Sequence, residues 1–309
     1  MRRMLALALT STLALAACGG GSDPLATGAA TPDKDTAKET GTAGSGTVTI
    51  GSANFPENEL LAEIYAAALS DAGVEVKTSL GIGSREVYMT ALKEGSIDVL
   101  PEYTGGLATF LNPEITATSS EDVLADAQEH LPEGLELLEI SEAEDKDSLV
   151  VTAETAKEHS LTTIADLEPV AGELTLGGPP EFETRPNGVK GLEKVYGLKF
   201  ASFRSLAAGA NLTVQSLANG QVDVANIFTT DPAIEENDFV VLEDPESLFA
   251  AQNVVPIVRT DAVNPAVEEA LNSVSGALTT ENLTAMMVQV VSEGRSPQEV
   301  AREFVDDEL

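Results

Sequence analysis

Tryptophan is absent from this 309-residue chain and cysteine occurs once, as Cys18. A single cysteine excludes an intrachain disulfide, so core packing alone must hold the body together, and the length suffices for two domains of ordinary size. Cations are scarce as well: 17 lysines and arginines face 51 aspartates and glutamates, a formal charge of −34. Such a surface repels phosphate backbones and anionic headgroups, which excludes nucleic acid as a partner. The only histidines, His130 and His159, stand near no Gly-x-Ser-x-Gly elbow, nucleophile pair or metal-ligand spacing. Neither a Gly-Lys-Ser phosphate loop nor an Asp-x-Asp-x-Asp-Gly calcium loop occurs. No enzyme chemistry, metal or cofactor is therefore expected. A carboxylate pair proposed in so acidic a chain would have no specificity.

Beyond the N-terminus, no apolar run approaches the roughly 20 residues of a membrane helix. The N-terminus itself carries Arg2 and Arg3, an apolar stretch over 4–15, and Leu15-Ala16-Ala17-Cys18 followed by three glycines. This is the pattern of a lipoprotein export signal, in which cleavage leaves Cys18 as a lipid-modified terminus. An ordinary secretory signal with an incidental cysteine is the alternative. Residues 19–46 are rich in Gly, Ala, Thr, Ser and Asp without apolar periodicity and read as a flexible linker. The expected product is an exported body tethered by Cys18 to the outer face of the cytoplasmic membrane.

What the chain does contain is a repeat. Leu92, Gly95, Ile97, Asp98, Val99, Tyr103 and Thr104 are matched by Leu217, Gly220, Val222, Asp223, Val224, Phe228 and Thr229, all at one offset. Thr49-Ile50-Gly51 returns as Thr175-Leu176-Gly177. Around these units the patterns alternate. Strands are expected over 47–50, 74–78 and 97–100, with a helix opened by Pro56 and another capped by Ser84. The second unit gives strands over 149–152, 174–176, 202–205 and 222–227 and helices over 189–196 and 211–217. A return strand over 254–258 precedes helices over 265–277 and 282–291 and a last one at Ser296-Pro297, with Glu299 closing a capping box. The order implies α/β lobes with mainly parallel sheets. Lobe 1 is assigned 47–148 plus 253–309 and lobe 2 149–252, after a signal over 1–18 and the linker over 19–46. The chain then crosses between lobes twice, which makes a two-segment hinge over a cleft.

Ligands of open parallel sheets sit beyond the carboxyl ends of strands. There the repeat delivers Tyr103 and Thr104 in one lobe and Phe228 and Thr229 in the other, beside the turn holding Asn54 and the one at Gly177-Gly178-Pro179-Pro180. Tyr103 is read in a turn after Pro101-Glu102 with its face free for a ligand. Arg185, in a polar turn of a cation-poor chain, is a candidate clamp for a ligand carboxylate. Its plainer reading is a surface pair with Glu181 or Glu183.

Ile50-Gly51-Ser52-Ala53-Asn54-Phe55, Leu80-Gly81-Ile82-Gly83-Ser84-Arg85-Glu86-Val87, Ala91-Leu92-Lys93-Glu94-Gly95-Ser96-Ile97-Asp98, Pro101-Glu102-Tyr103-Thr104-Gly105, Arg185-Pro186-Asn187-Gly188 and Thr229-Thr230-Asp231 resemble the osmoprotectant-binding lipoproteins of ABC importers, the glycine betaine, choline and carnitine group. The resemblance spans 47–304. It implies a type II periplasmic-binding-protein fold, a monomer whose lobes close on a small zwitterionic or cationic ligand, and delivery to a membrane permease with its cytoplasmic ATPase. It further implies a tyrosine cage around a trimethylammonium group and a basic residue on the carboxylate. Tyr103 matches one cage position and Arg185 the carboxylate-binding arginine. Asp147, Phe228 and Gln252 fall where the family often carries tyrosine, and Ala53 where some members carry lysine. An altered cage leaves open a larger or more polar betaine such as ergothioneine. A lipoprotein hydrolase, and a sensor or adhesin using the same closure, are the competing classes.

Overall fold

The computed structural model describes residues 46–208 and 211–309. The export signal, Cys18 and the linker up to residue 45 lie outside the described residues. Two five-stranded sheets organise the body. The first contains β1 (Val48–Gly51), β2 (Val76–Ser79), β3 (Val99–Tyr103), β4 (Leu135–Leu137) and β10 (Val254–Arg259), in the order β2-β1-β3-β10-β4. The second contains β5 (Asp147–Val151), β6 (Thr175–Gly178), β7 (Ser202–Ser205), β8 (Val224–Phe228) and β9 (Val240–Val241), in the order β7-β6-β8-β5-β9. The chain leaves the first sheet after β4 and returns to it at β10.

In each sheet four strands share one direction, as expected, and one strand runs against them. β1 runs parallel to β2 and β3, whereas β10 is antiparallel to β3 and β4; β5 likewise lies antiparallel between β8 and β9. The strand expected over 97–100 is Val99–Tyr103, and that expected over 222–227 is Val224–Phe228. Pro101 hides the longer strand, since a proline inside a run argues against pairing. Here Pro101 stands opposite Pro256. At such a position the ladder asks neither residue for an N–H: their carbonyls point outward, Pro101 O to Asn58 Nδ2 at 2.8 Å and Pro256 O to Leu138 N at 3.1 Å. Tyr103 is therefore the last residue of a strand, and no turn separates it from the helix that follows.

Helices cover both faces of each sheet. Against one face of the first sheet lie α1 (Pro56–Asp71), α9 (Pro265–Ala277), α10 (Thr280–Met287) and α11 (Pro297–Glu308); their core joins Leu60, Leu61 and Ile64 to Val274, Met286 and Phe304. On the other face, α2 (Arg85–Glu94), α3 (Thr104–Leu111) and α4 (Ser120–Glu129) bury Leu92, Leu107 and Val123. Adjacent residues of β3 divide between the two cores, Val99 to one and Leu100 to the other, as the pleat requires. The second sheet repeats the arrangement with α5 (Ala153–His159) and α6 (Val189–Tyr196) on one face and α7 (Asn211–Ala218) on the other, while the short α8 (Ala233–Glu236) follows β8. Each fully buried aliphatic side chain contributes roughly 1.5–3 kcal/mol.

The repeated aspartates have a structural task. Asp98 accepts from Thr49 N at 2.9 Å and Asp223 from Thr175 N at 2.7 Å, so each ties the entry of one strand to the start of another. Gly95 and Gly220 end the preceding helices with φ of 74° and 64°, a conformation that favours glycine. Two terminal details differ from expectation. The helix expected over 282–291 is α-helical only through Met287 and widens into a π-turn over Val288–Ser292. At α11 the Ser296 side chain makes no cap bond and no box forms with Glu299; the helix starts on the fixed φ of Pro297.

Candidate functional site

One cavity, with a volume of about 50 Å³, lies between the two sheets. That is room for a few waters, each needing about 10–15 Å³. Its first wall is the loop after β1 with the start of α2: Ala53, Asn54, Phe55, Ser84, Arg85 and Tyr88. Asn58 sets that loop by accepting from Ala53 N at 2.7 Å while its amide holds β3. The facing wall includes Pro179, Phe182, Arg185 and Phe228, and Tyr103, Asp145, Asp147 and Gln252 form the floor.

Three rings meet here. Phe55 lies 5.2 Å from Phe228 and 6.1 Å from Tyr103, centroid to centroid, with interplanar angles of 42° and 30°. Beside them Asp147 accepts from Asn226 Nδ2 at 3.0 Å, Asn187 Nδ2 at 3.3 Å and Gln252 Nε2 at 3.4 Å. Three neutral donors on one carboxyl fix its direction beside the ring cluster.

Under the floor, a second group of carboxyls joins the two sheets. Glu57 of α1 accepts from the Tyr103 hydroxyl at 2.8 Å and from the Thr230 hydroxyl of the loop after β8. Asp145, between β4 and β5, accepts from Thr230 N at 3.2 Å and lies within hydrogen-bonding reach of Glu57. Burial pushes both carboxyls upward, Asp145 well above the usual range, and the charge of Glu57 beside it adds to the shift of Asp145. The Tyr103 phenol, buried beside both acids, is also pushed up.

At the rim, Arg185 Nε and Nη2 bind Glu86 at 3.3 and 3.2 Å. Burial works to raise the Glu86 carboxyl, but bonds from Ser84 and Arg185 hold it down at about 2. This pair links α2 to the turn before α6. Arg185 thus has its partner on the other side of the cleft and not in Glu181 or Glu183, the plainer of the two readings its sequence offered.

Residues 46–307 match the family model described as the substrate binding domain of an ABC-type glycine betaine transport system. The chain belongs to this family. Members are substrate-binding transport proteins and not enzymes. The glycine-betaine-binding protein of Pseudomonas aeruginosa is 26% identical over 279 residues, covering 86% of this chain and 89% of that one. A Helicobacter pylori ergothioneine transport permease and binding protein is 25% identical over 255 residues, 81% of this chain and 45% of its own length. The fold is shared with a crystal structure of a glycine betaine/carnitine/choline ABC transporter protein, at a TM-score of 0.66 and 22% identity over 84% of this chain and 97% of that one.

Within this family frame, Asn54, Tyr103, Asp147, Arg185, Phe228 and Gln252 all line the cavity. Thr104 and Thr229 do not. Thr104, fully buried, donates to Ala251 O and accepts from Asn253 N, because the longer β3 carries it under the returning chain. The Thr229 hydroxyl bonds Lys146 N at 2.9 Å and so pins the end of β8 to the crossing segment. Sequence reasoning missed Phe55, Arg85, Tyr88 and Asp145 as wall residues. Only the motifs Ala53-Asn54-Phe55 and Ser84-Arg85-Glu86 marked the segments that bring the first two.

Proposed function

We propose that the chain captures a small quaternary-amine zwitterion of the betaine type and hands it to a membrane permease driven by a cytoplasmic ATPase. Two bodies, 47–148 with 253–309 and 149–252, close on the ligand by flexing at the two crossings between them. The protein works as a monomer, exported and held by a lipid on Cys18. The observation that carries this reading is the cluster of Phe55, Tyr103 and Phe228 beside the fixed carboxyl of Asp147 in a cavity walled by both bodies. A trimethylammonium group is attracted by ring faces at roughly 0.5–2 kcal/mol each when desolvated, and by the carboxylate in addition. The names of relatives in the family point the same way.

Calorimetric titration with glycine betaine, choline, carnitine and ergothioneine tests it. Binding of at least one, weakened about 2- to 30-fold in Phe228→Ala, is the expected result, the range being one ring's cation–π energy. Failure to bind any of the four overturns the proposal. A second reading keeps the same architecture with a betaine bearing a ring N–H, such as ergothioneine. It is favoured by Asp147 and Gln252, hydrogen-bonding groups where the family's cage carries rings; selective loss of ergothioneine binding in Asp147→Ala would establish it.

A further inference from the structure

Arg185 holds Glu86 at the rim through one edge, Nε and Nη2, at 3.3 and 3.2 Å, with its side chain 21% exposed. The cleft holds a second guanidinium, paired through the same edge but buried more deeply and held at shorter distances. Arg85, the first residue of α2, is only 8% exposed and lines the cavity. One edge is locked: Nε binds Glu102 Oε1 at 2.6 Å and Nη2 binds Oε2 at 2.9 Å. Glu102 is itself immobilised at 0% exposure, because it also accepts from the Tyr88 hydroxyl at 2.5 Å and from Tyr103 N at 2.6 Å. With all its acceptor directions taken, Glu102 holds the guanidinium plane in one orientation.

The other edge is free. Among the described residues Nη1 donates to no protein acceptor. Space has been kept for it. A Cβ at Gly106 would stand 2.6 Å from Nη2 and 3.0 Å from Nη1, so the guanidinium lies where any side chain at 106 would be. Gly106 N in turn donates to Gln252 Oε1 at 3.2 Å, and the Gln252 amide reaches Asp147. Glycine, arginine and glutamine thus form a fitted strip leading from the free guanidinium edge to the carboxyl beside the rings.

We infer that Arg85, oriented by Glu102 and given room by Gly106, is the group that receives the carboxylate of the ligand and makes the site select betaines over the matching amino alcohols. The inference rests on the quaternary-amine reading above and deepens it. A carboxylate satisfies the two N–H groups of a buried, pre-oriented edge with charge-assisted hydrogen bonds; a hydroxyl offers the same edge only one neutral acceptor. Arg185 then acts as a rim latch to Glu86. Lysine cannot replace Arg85 in this role, since one ammonium cannot face Glu102 and present a parallel pair of donors to the ligand.

Glycine betaine and choline share a trimethylammonium group and differ at the other end, so the ratio of their affinities reads this contact alone. Titration of the wild type, Arg85→Lys, Gly106→Ala and Arg185→Lys, with a melting curve for each, is the test. The wild type is expected to favour glycine betaine, with the preference falling roughly 10- to 100-fold in Arg85→Lys while choline affinity stays within a few fold. Gly106→Ala keeps every charge and displaces the guanidinium, so it lowers the same ratio and serves as the deciding variant if Arg85→Lys does not fold. A ratio unchanged in both, a collapse in Arg185→Lys alone, or a wild type that prefers choline overturns the assignment while leaving the quaternary-amine reading intact. Binding of neither compound overturns that reading and the assignment with it.

Discussion

Replacing Glu102 by alanine is expected to lower stability by roughly 3–5 kcal/mol, since removing one partner of a buried ion pair strands the other. At about 2–4 °C per kcal/mol for a body of this size, the melting temperature falls by roughly 6–20 °C. Four donors lose their acceptor at once: two from Arg85, the Tyr88 hydroxyl and the amide of Tyr103. Calorimetric melting of three proteins separates this effect from the binding role. Glu102→Ala and Arg85→Met should each be strongly destabilised. Arg85→Met with Glu102→Met should recover most of the loss, because well-packed apolar side chains can replace a buried pair at little cost. Preference for glycine betaine should stay lost in the double variant. A double variant no more stable than either single one would show that the surrounding wall, and not the ion pair, is what fails.

A second large effect concerns pH. Asp145 and Glu57 both hold protons more tightly in the folded protein than in an unfolded chain, chiefly through burial. A carboxyl whose pKa rises on folding adds stability that is complete below its unfolded value, near 3.8 for Asp145, and is lost as pH climbs through the folded one. Asp145→Asn imitates the protonated acid. Its oxygen can still accept from Thr230 N, and its amide can donate to Glu57. The expected result is a variant matching the wild type near pH 4.5 and melting higher at pH 8, by a few degrees if the gain is on the order of 1 kcal/mol. Melting curves from pH 4.5 to 8.5 check it, and parallel wild-type and variant profiles would refute the raised affinity of Asp145 for its proton. The Glu86 carboxyl, held down at about 2, works in the opposite sense: its pairing with Arg185 weakens only when pH falls well below the ordinary glutamate range, toward 2.

The repeat made the two sheets legible in the sequence, since Asp98 and Asp223, with Gly95 and Gly220, perform the same local tasks in both. Phe228 and Tyr103 were legible as cleft residues because each ends a repeated strand. Their neighbours Thr104 and Thr229 share the same motif, yet the structure turns both hydroxyls to backbone partners brought by other segments, at 251–253 and at Lys146. No local pattern announces such a partner. The same holds for Arg85 and Glu102, which are 17 residues apart and meet only because α2 packs beside β3. Phe55 was visible as part of a motif, but its place between two rings depends on Asn58 fixing the loop from below.

The position of β10 has a consequence for how the chain folds. The core of the second sheet draws its residues from one uninterrupted stretch, Leu149 to Phe249, so its contacts can close as soon as that stretch is available. The first sheet cannot. β3 and β4 touch only through β10, and α1 packs against Phe304 and Val305, while Arg302 bonds Asp71 across 231 residues of sequence. Such distant pairings carry a large loop-closure entropy and form slowly. The middle of the chain is therefore expected to reach its native form first, while the N-terminal strands wait, edges unpaired, for the 56 residues from Val254 onward to arrive.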